Sequence, residues 1–264
     1  MIEQHMNEDE LLCKINELFQ YRLFPQLFNE SNAGEDANMK FLNRLIDLQK
    51  NIYYLDAHLE ANWQTDETVL AWHWDNIIRS LCELAISVEN TSAYLNHIRK
   101  YEKHELELRL GKSPLRFDME YFYFYKSCDV KLLRRLIYEK IQLSPGCGQL
   151  SDWRYYDLVT EVNDDIEDIF EDLDFINGNS FLISLLYKGK SVTQRIFSDF
   201  LNEIAFKAKN KYSASSGRYK ELIFESTNQR IAETQQLLFD RLDVIRDEQL
   251  KESMLFNHQT IPQK

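Results

Sequence analysis

Apolar residues return every three or four positions along nearly the whole chain, a period that points to α-helix. Leu11, Leu12, Ile15, Leu18, Phe19 and Leu23 set it within residues 8–30, where Pro25 is expected to bend or end the helix. Phe41, Leu45, Leu48, Ile52, Leu55 and Leu59 carry it over about 38–63. Val69, Leu70, Ile77, Leu81, Leu84 and Ile86 mark a third helix reaching about 88, with Thr65 as its N-cap. A fourth begins near Thr91 and stops before Gly111-Lys112-Ser113-Pro114. Its last residues, 101–110 (YEKHELELRL), are charged enough that this end is expected to project into solvent. Residues 117–142 read as one long helix, aromatic and then aliphatic, and 153–173 as an acidic helix. Asn177-Gly178-Asn179 breaks the chain, 180–210 holds one or two helices, Tyr212 to Gly217 (YSASSG) is a loop, and a last helix covers about 218–254.

Only 7 Gly and 4 Pro punctuate the 264 residues, too few for the turns of a sheet protein. Hydrophobic residues make up 44%, enough for a substantial core. The expected fold is all-α: one single-domain helical bundle over residues 1–264, with a tail that frays from about 255.

The same composition excludes several functions. The formal net charge is −12 and no Lys/Arg-rich block occurs, so no nucleic-acid partner is expected. Neither GxGxxG nor GxxxxGK[ST] is present, and no HExxH or GxSxG. The start, MIEQHMNEDE, is polar, and no apolar run is long enough to span a membrane. The four cysteines form no CxxC, so the expectation is a cytoplasmic chain with reduced thiols.

The most specific stretch is Glu161-Val162-Asn163-Asp164-Asp165-Ile166-Glu167-Asp168-Ile169-Phe170-Glu171-Asp172. Leu158, Val162, Ile166, Ile169 and Leu173 give it a buried stripe. On a helix, Asp164, Asp168 and Glu171 or Asp172 fall on one neighbouring face, three or four residues apart. Like charges so placed repel. Two readings follow: a solvated acidic face, or a site for Mg²⁺, which prefers oxygen ligands and completes its shell with water and substrate phosphate.

Asp164-Asp165-Ile166-Glu167-Asp168 is a literal DDxxD, and Asn163, Asp164, Glu167 and Glu171 resemble the NDxxSxxxE metal motif of terpene synthases, with Glu in the Ser position. The following Asn177-Gly178-Asn179-Ser180 is similar to the stretch after that motif in the same family. Phe122-Tyr123-Phe124-Tyr125-Lys126-Ser127 resembles the aromatic and lysine segment of trans-prenyl diphosphate synthases. Together they resemble the class I isoprenoid synthase superfamily over about residues 115–190.

That resemblance implies the isoprenoid-synthase bundle and Mg²⁺ held by Asp164, Asp165, Asp168 and Asp172 with Asn163 and Glu167. It implies Lys126 on the diphosphate of a prenyl substrate, with Arg218-Tyr219, like the family's capping Arg-Tyr pair, closing over it. The family's earlier aspartate-rich motif has only a partial counterpart in Asp56 and Glu60, equally readable as a helix surface. Tyr53, Tyr54, Phe122 and Tyr125 are candidates for the cavity wall, where aromatic faces would stabilise a cation. A homodimer is left open. The basic motifs of chain-elongating enzymes are missing, which favours ionisation of a single substrate: a terpene synthase, a carbon–oxygen lyase acting on diphosphates. The alternatives are a trans-prenyl diphosphate synthase or its subunit, and a non-catalytic helical interaction protein with an acidic face.

Overall fold

The computed structural model describes residues 7–212 and 217–257. Ser213 to Ser216 of the expected loop, and 258–264 of the expected tail, lie outside the described residues. The described chain is all-α, with no strand and one isolated bridge between Ser31 and Leu143. Its helices are α1 (Glu8–Tyr21), α2 (Phe24–Phe28), α3 (Glu35–Ala61), α4 (Glu67–Glu83), α5 (Val88–Leu108), α6 (Met119–Lys126), α7 (Cys128–Lys140), α8 (Arg154–Glu167), α9 (Ser180–Lys188), α10 (Lys190–Tyr212), α11 (Arg218–Val244), α12 (Asp247–Glu252) and α13 (Met254–Asn257). None of these is long and apolar enough to cross a membrane.

Several expected helices divide, each for a local reason. Leu23 adopts φ 59, a left-handed conformation, and Pro25 then sits in the first turn of α2, so the first segment splits into α1 and α2. The segment 117–142 breaks at Ser127 into α6 and α7. Asp66, not Thr65, caps α4: its carboxylate accepts the N–H groups of Thr68 (2.7 Å) and Val69 (3.3 Å). Gly189 at φ 74 separates α9 from α10.

The acidic segment departs most from expectation. α8 stops at Glu167, and Asp168–Phe170 and Asp172–Asp174 are 3₁₀ turns. Its last turn has no basic residue, so carboxylates meet the negative end of the helix dipole. A continuing α-helix would also stack Asp164, Asp168 and Asp172 at i, i+4.

The chain divides into two compact units. The first comprises residues 1–58, 64–96 and 129–147, with Leu11, Ile15, Leu45, Leu48, Leu81, Leu133 and Ile137 among its fully buried residues. The second comprises 59–63, 97–128 and 148–264. Its core gathers Phe122, Tyr123, Leu158, Val162, Ile166, Ile169, Phe181 and Phe197 around α8, which packs chiefly on α11 and then on α6, α9 and α10. Val162, Ile166 and Ile169 are completely buried, each contributing about 1.5–3 kcal/mol of apolar transfer.

The end of α5 is not the solvent projection its charge suggested. Leu108 and Glu105 are buried, and Arg109 turns back to the C-terminal end of α3, donating to the carbonyls of Leu59 and Asn62. A cation on carbonyls at a helix C-terminus offsets part of its own desolvation.

Candidate functional site

The site is built where α6 meets the end of α8. Asp118 caps α6 by accepting the Tyr121 N–H at 3.1 Å, and Tyr123 and Lys126, three residues apart, then share the face turned toward α8. Asp165 answers from α8, with its side chain completely buried. One carboxylate oxygen takes the Lys126 ammonium; the other accepts the Tyr123 hydroxyl and the Ser180 N–H, both at 2.8 Å. Desolvation opposes the Lys126 charge, yet the negative charges of Asp165, Asp172 and Glu161 outweigh it and hold the ammonium well above its ordinary range. Burial, followed by the Asp165 charge, raises the Tyr123 hydroxyl.

The Asn-Gly-Asn step closes this arrangement. Asn179 caps α9, its side-chain oxygen accepting the Leu182 N–H at 2.8 Å. Its amide nitrogen donates to the Asp165 carbonyl at 2.7 Å and to Asp172 Oδ2 at 2.6 Å. The one residue thus starts a helix and orients two acids.

Beyond Asp165 two further carboxyls are raised. The Asp172 carboxyl is pushed up to about 6, by burial first and by the charge of Asp165, against the opposing pull of Lys126 and Asn179. The Asp168 carboxyl is pushed up to about 7, by loss of hydration and then by Asp164, Asp172 and Glu171. Asp168 is nevertheless exposed, so the crowding of carboxylates is the firmer of these causes.

The expected residues therefore separate. Asp164, Asp168 and Asp172 act on a common electrostatic neighbourhood, and Lys126 belongs to it. Asp165 belongs to it too, but through a fully hydrogen-bonded buried ion pair. Asn163 is turned to α11, donating to Thr234 Oγ1 at 3.0 Å and accepting from Arg230 at 3.4 Å, and Glu167 is exposed. Tyr219 packs its ring on Trp153, 6.4 Å between centroids, and Arg218 beside it is exposed. That pair therefore stands at the opposite end of α8 from Asp164, about 16 Å along the helix axis at 1.5 Å per residue. Asp56 lies in the first unit. Glu60 lies in the second, where its carbonyl accepts the Ile176 N–H at 3.0 Å and its charge acts on Arg109. Of the expected aromatic wall, Tyr53 and Tyr54 belong to the first unit. Phe122 is buried in the second unit's core, and Tyr125 lies under the Lys100 ammonium at 3.9 Å.

Other residues join that were not anticipated. Glu161 precedes Asp165 by one helical turn, a spacing that could have placed it on the lysine side. Tyr123 precedes Lys126 by three residues, again readable in principle. Arg241 was not readable: its guanidinium donates to the Glu167 carbonyl at 3.2 Å and lies 5.6 Å from the Phe170 ring centroid.

Among the described residues, no three His, Cys, Asp or Glu side chains converge as they stand on a point that could hold a metal ion. The donor chemistry of Asp164, Asp168 and Asp172 suits a hard divalent cation, and their mutual repulsion is what such a cation would relieve. Asn163 and Asp165 fit less well, because their side chains are committed elsewhere. A shallow apolar depression lined by Leu108, Gly111, Lys112, Ile183, Tyr187 and Leu255 among others includes none of the expected site residues. The chain matches no family model, no curated protein and no solved structure.

Proposed function

We propose that the chain is a Mg²⁺-dependent enzyme of the terpene-synthase kind, ionising a prenyl diphosphate. The observation that carries this reading is the charge arrangement around Lys126: one ammonium, still partly open to solvent, facing Glu161, Asp165 and Asp172, with Asp168 and Asp164 crowded beside them. Mg²⁺ held by Asp164, Asp168 and Asp172 would neutralise charge on a diphosphate leaving group. Lys126 is the residue assigned to the diphosphate oxygens. Asp165, itself held by the Tyr123 hydroxyl and the Ser180 N–H, fixes its position, so the cation is oriented before substrate arrives. Asn179 holds Asp172 to the same end. Asn163, whose side chain bonds Thr234 and Arg230, is given no part in this reading, and none is assigned to Glu167, Asp56, Glu60, Arg218 or Tyr219.

The test is turnover. Incubation with C10, C15 and C20 allylic diphosphates should release inorganic diphosphate and a hydrocarbon or alcohol product only with Mg²⁺. Asp168→Ala and Asp172→Ala should each lower the rate by about 10²-fold or more. A longer diphosphate made only with added isopentenyl diphosphate would move the assignment to chain elongation. The exposure of Glu167, Asp168 and Glu171 favours one second reading, an acidic face for a basic protein. That reading predicts no turnover, no response to diphosphate, and partner binding that weakens with salt.

A further inference from the structure

Glu105 is a carboxylate in the most charged stretch of α5, yet it is only 6% exposed. Its Oε1 accepts the Gly178 N–H at 2.9 Å, and the Tyr101 hydroxyl bonds the same carboxyl. Gly178 is not at positive φ, so what a side chain there would disturb is not the backbone but the Glu105 carboxyl packed against it. A Cβ would stand 2.4 Å from Glu105 Oε1 and 3.3 Å from the Tyr101 hydroxyl. The charged end of α5 and the Asn-Gly-Asn step are thus fitted to each other at closer than side-chain range.

What hangs on that fit is the acidic site. Asn177 Oδ1 accepts the Asn179 N–H at 3.1 Å, so the step is internally braced. Asn179 carries the donors for Asp172 and the Asp165 carbonyl, and Ser180 N–H serves the Asp165 carboxylate. On the other side, Arg109, one turn beyond Glu105, donates to the Glu105 carbonyl at 3.0 Å and to the end of α3. The Ile176 N–H meets the Glu60 carbonyl at 3.0 Å. The loop is therefore pinned immediately before the step and at its glycine.

We infer that Glu105 is a positioning residue for the acidic site: by holding Gly178 it sets the Asn177–Asn179 step, and through Asn179 it sets where Asp172 and Asp165 stand about Lys126. The functional consequence rests on the proposed reading of that site; the connection from Glu105 to Asn179 does not.

The experiment compares Glu105→Ala, Glu105→Gln, Gly178→Ala and the double variant Glu105→Ala/Gly178→Ala in the full chain. The first readout, hydrogen exchange by NMR, needs neither metal nor substrate. In Glu105→Ala, the Ser180 N–H and the Asn179 side-chain amide should exchange at least about tenfold faster, while amides of α10 and α11 stay unchanged. Glu105→Gln keeps an oxygen for the Gly178 N–H and should restore protection. Gly178→Ala should resemble Glu105→Ala, and the double variant should be no worse than either single one, because the deleted carboxylate vacates the space the methyl needs. Should Glu105→Ala fail to fold, Gly178→Ala against Glu105→Gln gives the same comparison. Unchanged exchange at Asn179 and Ser180 in the disrupted variants, or a Gln variant as damaged as Ala, would overturn the inference.

The second readout is the Mg²⁺ concentration that half-saturates the thermal stabilisation by inorganic diphosphate. It should rise about tenfold in Glu105→Ala and return in Glu105→Gln, the size expected for a group that orients metal ligands. A responsive wild type with an unmoved midpoint in Glu105→Ala would overturn the part given to Glu105 alone. A wild type that ignores Mg²⁺ and diphosphate would overturn the proposed function, and the exchange data would still decide the positioning role.

Discussion

Asp165 and Asp172 belong to one acidic run and both act on the ammonium of Lys126, yet the protein treats them differently. Asp165 sits on the last turns of α8, where lysine, tyrosine and a backbone N–H together surround its carboxylate. Asp172 lies beyond the helix, in the 3₁₀ turns that follow α8, where burial raises its carboxyl, and where burial and then the charges of Asp164, Asp172 and Glu171 raise that of Asp168. The first half resembles the interior of any well-satisfied protein. The second resembles a site in which a carboxylate is kept uncomfortable, and perturbed carboxyls of that kind cluster at functional sites. The difference teaches that an acidic motif need not act as a unit: one carboxylate is fully partnered inside the fold while its neighbours crowd at the helix end.

Several substitutions would break or sharpen that contrast. Asp165→Ala should have the largest effect on folding, since it strands a lysine, a tyrosine and a backbone N–H together. A loss of about 3–5 kcal/mol in chemical denaturation is expected, the cost of removing one partner from a buried pair. Asp168→Ala measured in the same way should change stability by less than about 1 kcal/mol. Comparable losses would dissolve the contrast.

Next in size is a pH effect. The Asp172 and Asp168 carboxyls are raised in the native state from an ordinary value of 3.8 to about 6 and about 7. The native state then binds protons more tightly than the unfolded chain, so the stabilisation is full below about pH 4 and is lost as pH rises toward 7. Asp172→Asn removes one such carboxyl and keeps an oxygen for Asn179. It should stabilise the metal-free protein by about 1–2 kcal/mol at pH 8 and by nothing at pH 4. A destabilised Asp172→Asn at pH 8 would show that Lys126 needs that charge more than the neighbours resent it.

Asp168→Asn should stabilise less, and the gain should shrink in high salt because the residue is exposed. Smallest of all, Arg218→Ala should leave the response to Mg²⁺ and diphosphate unchanged, since it stands at the far end of α8. A lost response there would restore the Arg-Tyr pair to the site and undo the placement derived from the Trp153 contact.

The helical class was legible because the period of buried apolar residues is a local property: Leu158, Val162, Ile166 and Ile169 point inward as their spacing requires. The ends of helices were less legible. The charge on Asp164, Asp168 and Asp172 suggested a continuous acidic face, but repulsion and the helix dipole work against continuing the helix through it. Lys126 and the acidic run were both visible, whereas their meeting depends on how α6 lies against α8, which no local pattern states. Glu105 was misread for the same reason. A charged residue in a charged stretch looks solvated until the glycine that receives it is known. Arg218-Tyr219 was carried by likeness alone, and the packing of Tyr219 on Trp153 sends it elsewhere.

The account turns on whether the second half of the acidic run holds a cation that in turn holds diphosphate. The most direct measurement is thermal unfolding of the wild type and of Asp168→Asn/Asp172→Asn with Mg²⁺, with inorganic diphosphate, and with both. A ligand that binds only the folded chain adds about 2.7 kcal/mol at a hundredfold excess over its Kd. The account predicts a clear rise for the wild type only when both are present, and none for the double variant. An unmoved wild type, or a double variant that responds as well as the wild type, would contradict it.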